Sequence, residues 1–315
     1  MRILLATLLL ISAACSNPQN AASSLHPLEV RSFSKLHAEG VLSVAFLSGG
    51  QAISSGVDDR ARIWDTARGV DIRRFAGPRF RFQSIALAPS GCCAFTPAPD
   101  GTVRYWTLST GKDIFIAPST NAASVALSAN GKLAASAGQD PSIHIWSVPD
   151  GKEAASFEVN APVVRVAFSG IDEIRSVLVD GRVCAAHLAP PGPVTCATAT
   201  SEPVSQAAFS LDARLALIGS STGTLLSWDA DHGAAVRNLN GGSGDVVALA
   251  ISPTGTEALS GGSDKTVRLW NLDSGARIAS TQSSGSYVSC VAFSSNGALA
   301  LFGSDDGTVA LWRLK

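Results

Sequence analysis

Residues Gly261–Leu272 read GGSDKTVRLWNL. The stretch ends in an alternating run, Thr266-Val267-Arg268-Leu269-Trp270, with the period-2 pattern of a half-buried strand. An Asp stands six residues before the Trp, just after small turn-forming residues. The phrase returns as VDDRARIWD at Val57–Asp65, APDGTVRYWTL at Ala98–Leu108, AGQDPSIHIWSV at Ala137–Val148 and GSDDGTVALWRL at Gly303–Leu314.

Working outward, two markers count the same number of units. The Trp slot holds Trp64, Trp106, Trp146, Ala186, Trp228, Trp270 and Trp312, each 40 or 42 residues after the last. An Ala followed by a large apolar residue recurs in step: Ala45-Phe46, Ala86-Leu87, Ala126-Leu127, Ala167-Phe168, Ala208-Phe209, Ala250-Ile251 and Ala292-Phe293. Each unit predicts four short antiparallel strands joined by tight turns. The period matches the roughly 40–45 residues of one propeller blade. The expected fold is all-β, a seven-bladed propeller of four-stranded blades. The repeated Ala is expected on the innermost strand, where converging blades leave room only for small side chains.

These residues resemble the WD40 repeat family over about residues 27–315. The resemblance implies a hydrogen-bond network in which the Asp before the Trp strand joins a His, a Ser or Thr and the Trp. Only the first unit has the full set, His37, Ser54, Asp58 and Trp64. Asp100, Asp140, Asp180, Asp264 and Asp306 keep the turn position without the His. The fourth unit has Ala186 in the Trp slot and a Pro-rich turn, Ala189–Pro193, and the fifth has Thr222 in the Asp position. Blades 4 and 5 are therefore expected to be the most labile. The chain ends straight after its seventh Trp strand, while Leu28–Phe33 (LEVRSF) aligns with fourth strands such as Val70–Phe75 and Glu153–Phe157. This N-terminal segment is expected to supply the outer strand of blade 7 and close a monomeric ring.

Met1–Cys15 reads MRILLATLLLISAAC, a basic residue, an apolar run and then small residues, the order of a signal peptide. Ala13-Ala14-Cys15 resembles the lipobox of bacterial lipoproteins, although Ser12 stands where that motif carries Leu, Val or Ile. The resemblance implies cleavage after residue 14 and a lipid on Cys15, with residues 15–26 as a polar tether to the folded body. Ser12-Ala13-Ala14 also fits ordinary cleavage that releases a soluble periplasmic protein. Ser16 after the Cys is compatible, by family analogy, with outer-membrane sorting.

With 315 residues and a formal net charge of −1, the chain shows no basic stripe for nucleic acid. None of the five histidines pairs at metal-ligand spacing, and no HExxH, CxxC or phosphate-loop motif occurs. No catalytic residue, metal or cofactor is expected. Cys184 and Cys196 flank the Pro-rich turn on strands that should be neighbours; a disulfide and two buried thiols are both open. Cys92, Cys93 and Cys290 read as small core residues.

In this family the loops leading into each first strand commonly receive partner peptides. Here those rim positions are Gly40, Arg81, Asn121, Pro162, Pro203, Asp245 and Tyr287. Arg81 and Tyr287 are of types enriched at binding hot spots. Arg81 sits in Arg79-Phe80-Arg81-Phe82, which reads equally well as a loop with Phe82 entering the core. The expected function is a non-catalytic, lipid-anchored interaction scaffold in a bacterial envelope, holding a protein or peptide. The alternative is a ligand-binding or hydrolytic propeller using its central channel. The first strands, offering mostly Ser, Ala and Val, weigh against it.

Overall fold

The computed structural model of the chain describes residues 30–33, 36–119, 121–148, 150–240, 244–285 and 287–315. The expected leader, the lipidated Cys15 and the tether all fall on residues 1–29, outside the described residues.

Each unit folds as the alternating pattern requires. In blade 1, Val41–Phe46, Gln51–Gly56, Arg60–Asp65 and Asp71–Ala76 pair in chain order as an antiparallel sheet. Six further four-stranded sheets follow, spanning 86–118, 122–158, 163–198, 204–240, 246–282 and 288–313, the last completed from the N-terminus. The chain is a seven-bladed, all-β propeller. The outer strand of blade 7 is Val30–Phe33, which pairs with Val309–Arg313 in the register Val30↔Trp312 to Phe33↔Val309. This is the expected closure, seen over the described part of Leu28–Phe33. It leaves blade 7 no unpaired edge on its third strand.

No blade has a core of its own. A four-stranded sheet has two faces, and both are covered only when another blade packs on each. The apolar residues accordingly gather into seven clusters, one in every gap between consecutive blades. The two sequence markers have opposite roles in them. Because side chains alternate across a strand, adjacent residues face opposite neighbours. Ala45 packs into the gap between blades 1 and 2, and Phe46 into the gap between blades 7 and 1. Ala126 and Leu127, or Ala250 and Ile251, divide in the same way. The Trp faces backwards too: Trp64 lies in the gap with blade 7 and Trp106 in the gap with blade 1.

The outer strand of each preceding blade meets that indole. Phe33 meets Trp64 edge-on at 5.0 Å between ring centroids, and Phe75 meets Trp106 at 5.3 Å. Such pairs add about 0.5–1.5 kcal/mol to the area they bury. The closing strand thus repeats the contact that every ordinary outer strand makes. His37 reinforces the seam, its N–H donating to the Gly307 carbonyl of blade 7 at 3.1 Å. Gly307 has φ 82°, and a Cβ there would meet the His37 carbonyl oxygen.

Blade 4 carries the exception. Phe157 faces Ala186 instead of an indole, beside a narrow void too small to admit a water molecule. Cys184 and Cys196 are directly opposite each other across the third and fourth strands and form a disulfide with S–S 2.06 Å. Cys184 itself borders the void. Cys92 and Cys93 correct the expectation of small core residues: they are joined to each other, with Cys92 exposed and Cys93 buried.

Two predictions follow from this packing. Deleting residues 28–33 removes Phe33 from Trp64 and unpairs the last strand, and should lower the unfolding midpoint by several degrees; an unchanged melting curve refutes the clasp. Replacing Cys184 and Cys196 together with Ser should cost about 3 kcal/mol and speed amide exchange in blade 4 above that of blades 1, 3 and 6. Uniform protection around the ring in both proteins contradicts the weakness assigned to that blade.

Candidate functional site

The turn between second and third strands was expected to hold the family network. In blade 1 it does so in part. His37 Nδ1 lies 2.9 Å from Asp58 Oδ1, and His37 Nε2 lies 2.9 Å from Ser54 Oγ. The Ala38 N–H also donates to Asp58, at 3.1 Å. Burial lowers the His37 pKa against the opposing pull of Asp58. The Asp58 carboxyl is also held low, by the hydrogen bonds from His37 and Ala38 acting against its own burial. A neutral ring beside a carboxylate donates from Nδ1 and accepts the Ser54 hydroxyl at Nε2. This is the hydrogen-bond order of a hydrolytic triad. Yet His37 and Ser54 are both 0% exposed, so no substrate reaches the hydroxyl. The set is structural.

Trp64 stands outside this network, a correction to the full set. Its indole N–H has no hydrogen-bond partner, although the Ser54 hydroxyl that donates to His37 keeps lone pairs to accept one. In blades 2, 3 and 6 the indole bonds a hydroxyl ten residues earlier, its diagonal neighbour across the second and third strands, while Trp312 of blade 7 has Phe302 at that place. Trp106 donates to Thr96 at 3.1 Å, Trp146 to Ser136 at 2.9 Å and Trp270 to Ser260 at 2.9 Å. Blades 4 and 5 each hold half of this pair. Ser176 has its hydroxyl but faces Ala186, and Trp228 has its indole but Ile218 ten residues before it. The Ser176 hydroxyl and the Trp228 N–H are both buried without a partner. An unmet buried polar group costs about 1–3 kcal/mol.

Three of the other turn aspartates replace the missing His with a basic residue of their own strand, two before the Trp. Asp264 accepts from Arg268 at 2.5 Å and from the Thr266 N–H at 3.1 Å. Asp100 pairs with Arg104, and Asp140 lies 3.3 Å from His144 Nε2. Asp180 uses Arg182 at 2.8 Å, and Asp306 accepts from Ser304 at 2.9 Å. The signal was present in TVRYW, SIHIW and TVRLW.

Six of the seven rim residues directly precede a first strand, and Arg81 stands five residues before the short first strand of blade 2. In five blades their backbone carbonyl accepts an N–H from the residue after the second strand: Gly40 from Val57, Asn121 from Gln139, Pro162 from Val179, Asp245 from Ser263 and Tyr287 from Asp305. This shared bond sets them at equivalent places on one face. Tyr287 is 41% exposed. Arg81 is exposed, and its guanidinium makes no hydrogen bond or ion pair among the described residues. Its neighbours are committed elsewhere. Arg79 pairs with Asp113 at 2.8 Å, while Phe80 and Phe82 are both buried against Trp106.

The channel differs from its expected Ser, Ala and Val lining. A cavity of about 520 Å³ runs through the centre and is bordered by residues of six first strands and by Gln83–Ile85 just before the first strand of blade 2. It also meets Arg165, Gln206 and Cys290. All three stand two residues before the marker Ala, where blades 1, 2 and 3 have Ser43, Ser84 and Ser124. Burial pushes the Cys290 thiol up to about 12, so it stays protonated. Among the described residues no group of three or more His, Cys, Asp or Glu is placed to hold a metal ion, and no helix is long and apolar enough to cross a membrane.

His37 makes stability depend on pH. Its folded pKa lies below the ordinary value of 6.5, so the unfolded chain takes up the proton first. The contribution is therefore present above 6.5 and is lost as pH falls below it. Between pH 7.5 and 5.5 the wild type should lose more thermal stability than His37→Gln. Parallel curves for the two proteins would exclude the buried neutral imidazole.

Four segments of the chain match the family described as WD domain, G-beta repeat: residues 29–65, 113–147, 233–271 and 276–313. No curated protein matches the chain. Each matched segment begins on the outer strand of one blade and ends on the third strand of the next. The sequence unit is thus staggered by one strand from the structural blade, which is why the N-terminal strand belongs to blade 7. The unmatched third strands are those of blades 2, 4 and 5. Blade 2 has a first strand of only Ala86–Leu87, and blades 4 and 5 lack one half of the indole–hydroxyl pair. The chain is a seven-bladed propeller similar, over these four segments, to the WD domain, G-beta repeat family.

Proposed function

We propose that this protein is a non-catalytic scaffold that holds a protein or peptide partner on the rim formed by the loops into the first strands. The single observation behind this reading is a division of labour. The residues that repeat are consumed by the gaps between blades and by turn hydrogen bonds. The seven equivalent rim positions carry six different residue types. Arg81 and Tyr287 stand on the blades either side of blade 1, and both are free to bind. Between them Gly40 is half-buried, with Asp305 of blade 7 packed close to it. An aromatic ring and an unpaired guanidinium flanking a low point suit a peptide with an acidic residue.

The leader and Ala13-Ala14-Cys15 support export, with a lipid on Cys15 tethering the ring in a bacterial envelope, on the periplasmic side of the outer membrane. Metabolic lipid labelling should mark the wild type and not Cys15→Ala. A wild type found unlabelled in the soluble fraction removes the anchor and leaves a soluble periplasmic ring. Affinity capture from detergent-solubilised envelopes should then recover a partner with the wild type and lose it with Arg81→Ala/Tyr287→Ala. Equal recovery by both proteins would discredit this face.

A further inference from the structure

We infer that the central channel is a binding site for a small carboxylic acid, held by Arg165. This stands apart from the rim: either can fail without the other.

Arg165 follows directly on a β-bulge. Six of the first strands shift register at this step, between Val163 and Arg165 in blade 4. A bulge re-aims the side chain after it. Here it turns the residues two before the marker Ala towards the next blade, whose first strand has a free edge on the channel. Ser84 accepts the Val125 N–H at 3.3 Å, and Ser124 accepts the Val166 N–H at 3.1 Å. Arg165 Nε donates to the Ala207 carbonyl at 2.8 Å, and Gln206 Nε2 donates to the Val247 carbonyl at 3.1 Å.

The blade-to-blade bond therefore does not need a charge. Serine bridges two blades by accepting an N–H, and glutamine bridges one blade further on by donating to a carbonyl as Arg165 does. What the arginine adds is the rest of its guanidinium. Its two Nη groups have no partner among the described residues, and Arg165 is the one charged residue lining the channel. It is enclosed by the ring yet keeps part of its surface on the channel. Burial lowers its pKa with no carboxylate acting against that, and an arginine in this setting remains a cation. An enclosed cation without a counter-charge is costly.

With Nε occupied, the end-on pair of Nη groups is left, and that fork matches the two oxygens of a carboxylate. Around it the wall mixes polar and apolar residues, Ser43, Ser84, Gln206 and Ser289 standing among Leu42 and Val291. A concave space of some hundreds of Å³ with one cation and several hydrogen-bonding groups converging on it describes a small-molecule site. The channel holds no ionised nucleophile or carboxylate, so the inference is binding and not turnover.

The test measures binding of phenylacetate and octanoate to the purified protein by calorimetry, against phenylacetamide and octanol as neutral matches. Inorganic phosphate and a Glu-containing peptide are further arms. The acids should bind at least about tenfold more tightly than their neutral matches, a difference of about 1.4 kcal/mol. Arg165→Gln keeps the cross-blade bond and should lose that preference while melting like the wild type; Arg165→Lys should keep part of it. If the Gln variant fails to fold, the acid-over-neutral preference of the wild type and its loss in concentrated chloride decide. Equal binding of acid and neutral match overturns the site, as does an Arg165→Gln variant that still prefers acids. Binding of phosphate or the peptide alone also overturns the small carboxylic acid as the occupant.

Discussion

The structure depends on contact between blades. A four-stranded sheet with apolar side chains on both faces cannot bury them alone, and in this chain every cluster of buried residues belongs to a gap between two blades. The large marker residue and the indole both point backwards, while the small Ala points forwards. Each gap is therefore filled by large groups from the following blade and completed by the preceding one. The gaps stay filled only if the ring closes, because an open ring would leave two sheet faces in water. The outer strand borrowed from the N-terminus is the means of closure, and Phe33 on Trp64 makes it one more copy of the contact in the other gaps.

Departures from the repeat are informative because the same gap contact fails in different ways. Blade 4 lacks the indole and carries a disulfide beside the resulting void. Blade 5 keeps the indole and lacks its hydroxyl. Blade 1 keeps both, and its hydroxyl is captured by His37, which ties the blade 7 seam through the Gly307 carbonyl. The family network is thus one of three solutions used for the same turn, alongside aspartate with a strand arginine and aspartate with neighbouring hydroxyls. Blades 4 and 5 are among those whose third strands the WD domain, G-beta repeat family does not match.

Function divides along the same line. Groups serving the ring are buried or paired, and the Ser–His–Asp set of blade 1 is sealed from solvent. What is left is on the rim and in the channel. At the rim it consists of side chains that differ between blades. In the channel it consists of one position, two before the marker Ala, where a charge replaces a hydroxyl.

Blade number, strand pattern, the clasp and the rim positions were all legible in the sequence, because each is set by local alternation and by spacing along the chain. Alternation follows from strand geometry, and the repeat period follows from four strands and their turns. The bond between Cys184 and Cys196 was legible as one of two outcomes. Three features required the tertiary structure. The exclusion of Trp64 from its network depends on where packing against blade 7 holds the indole relative to the Ser54 hydroxyl. The pairing of Cys92 with its neighbour depends on local backbone geometry that spacing does not reveal. The place of Arg165 depends on a bulge and on the edge of the next blade, 42 residues further along the chain. Sequence alone determined the repeated scaffold, since every copy reports the same local rule. The tertiary structure decided where single residues escape that rule, because those side chains answer to neighbours from another blade.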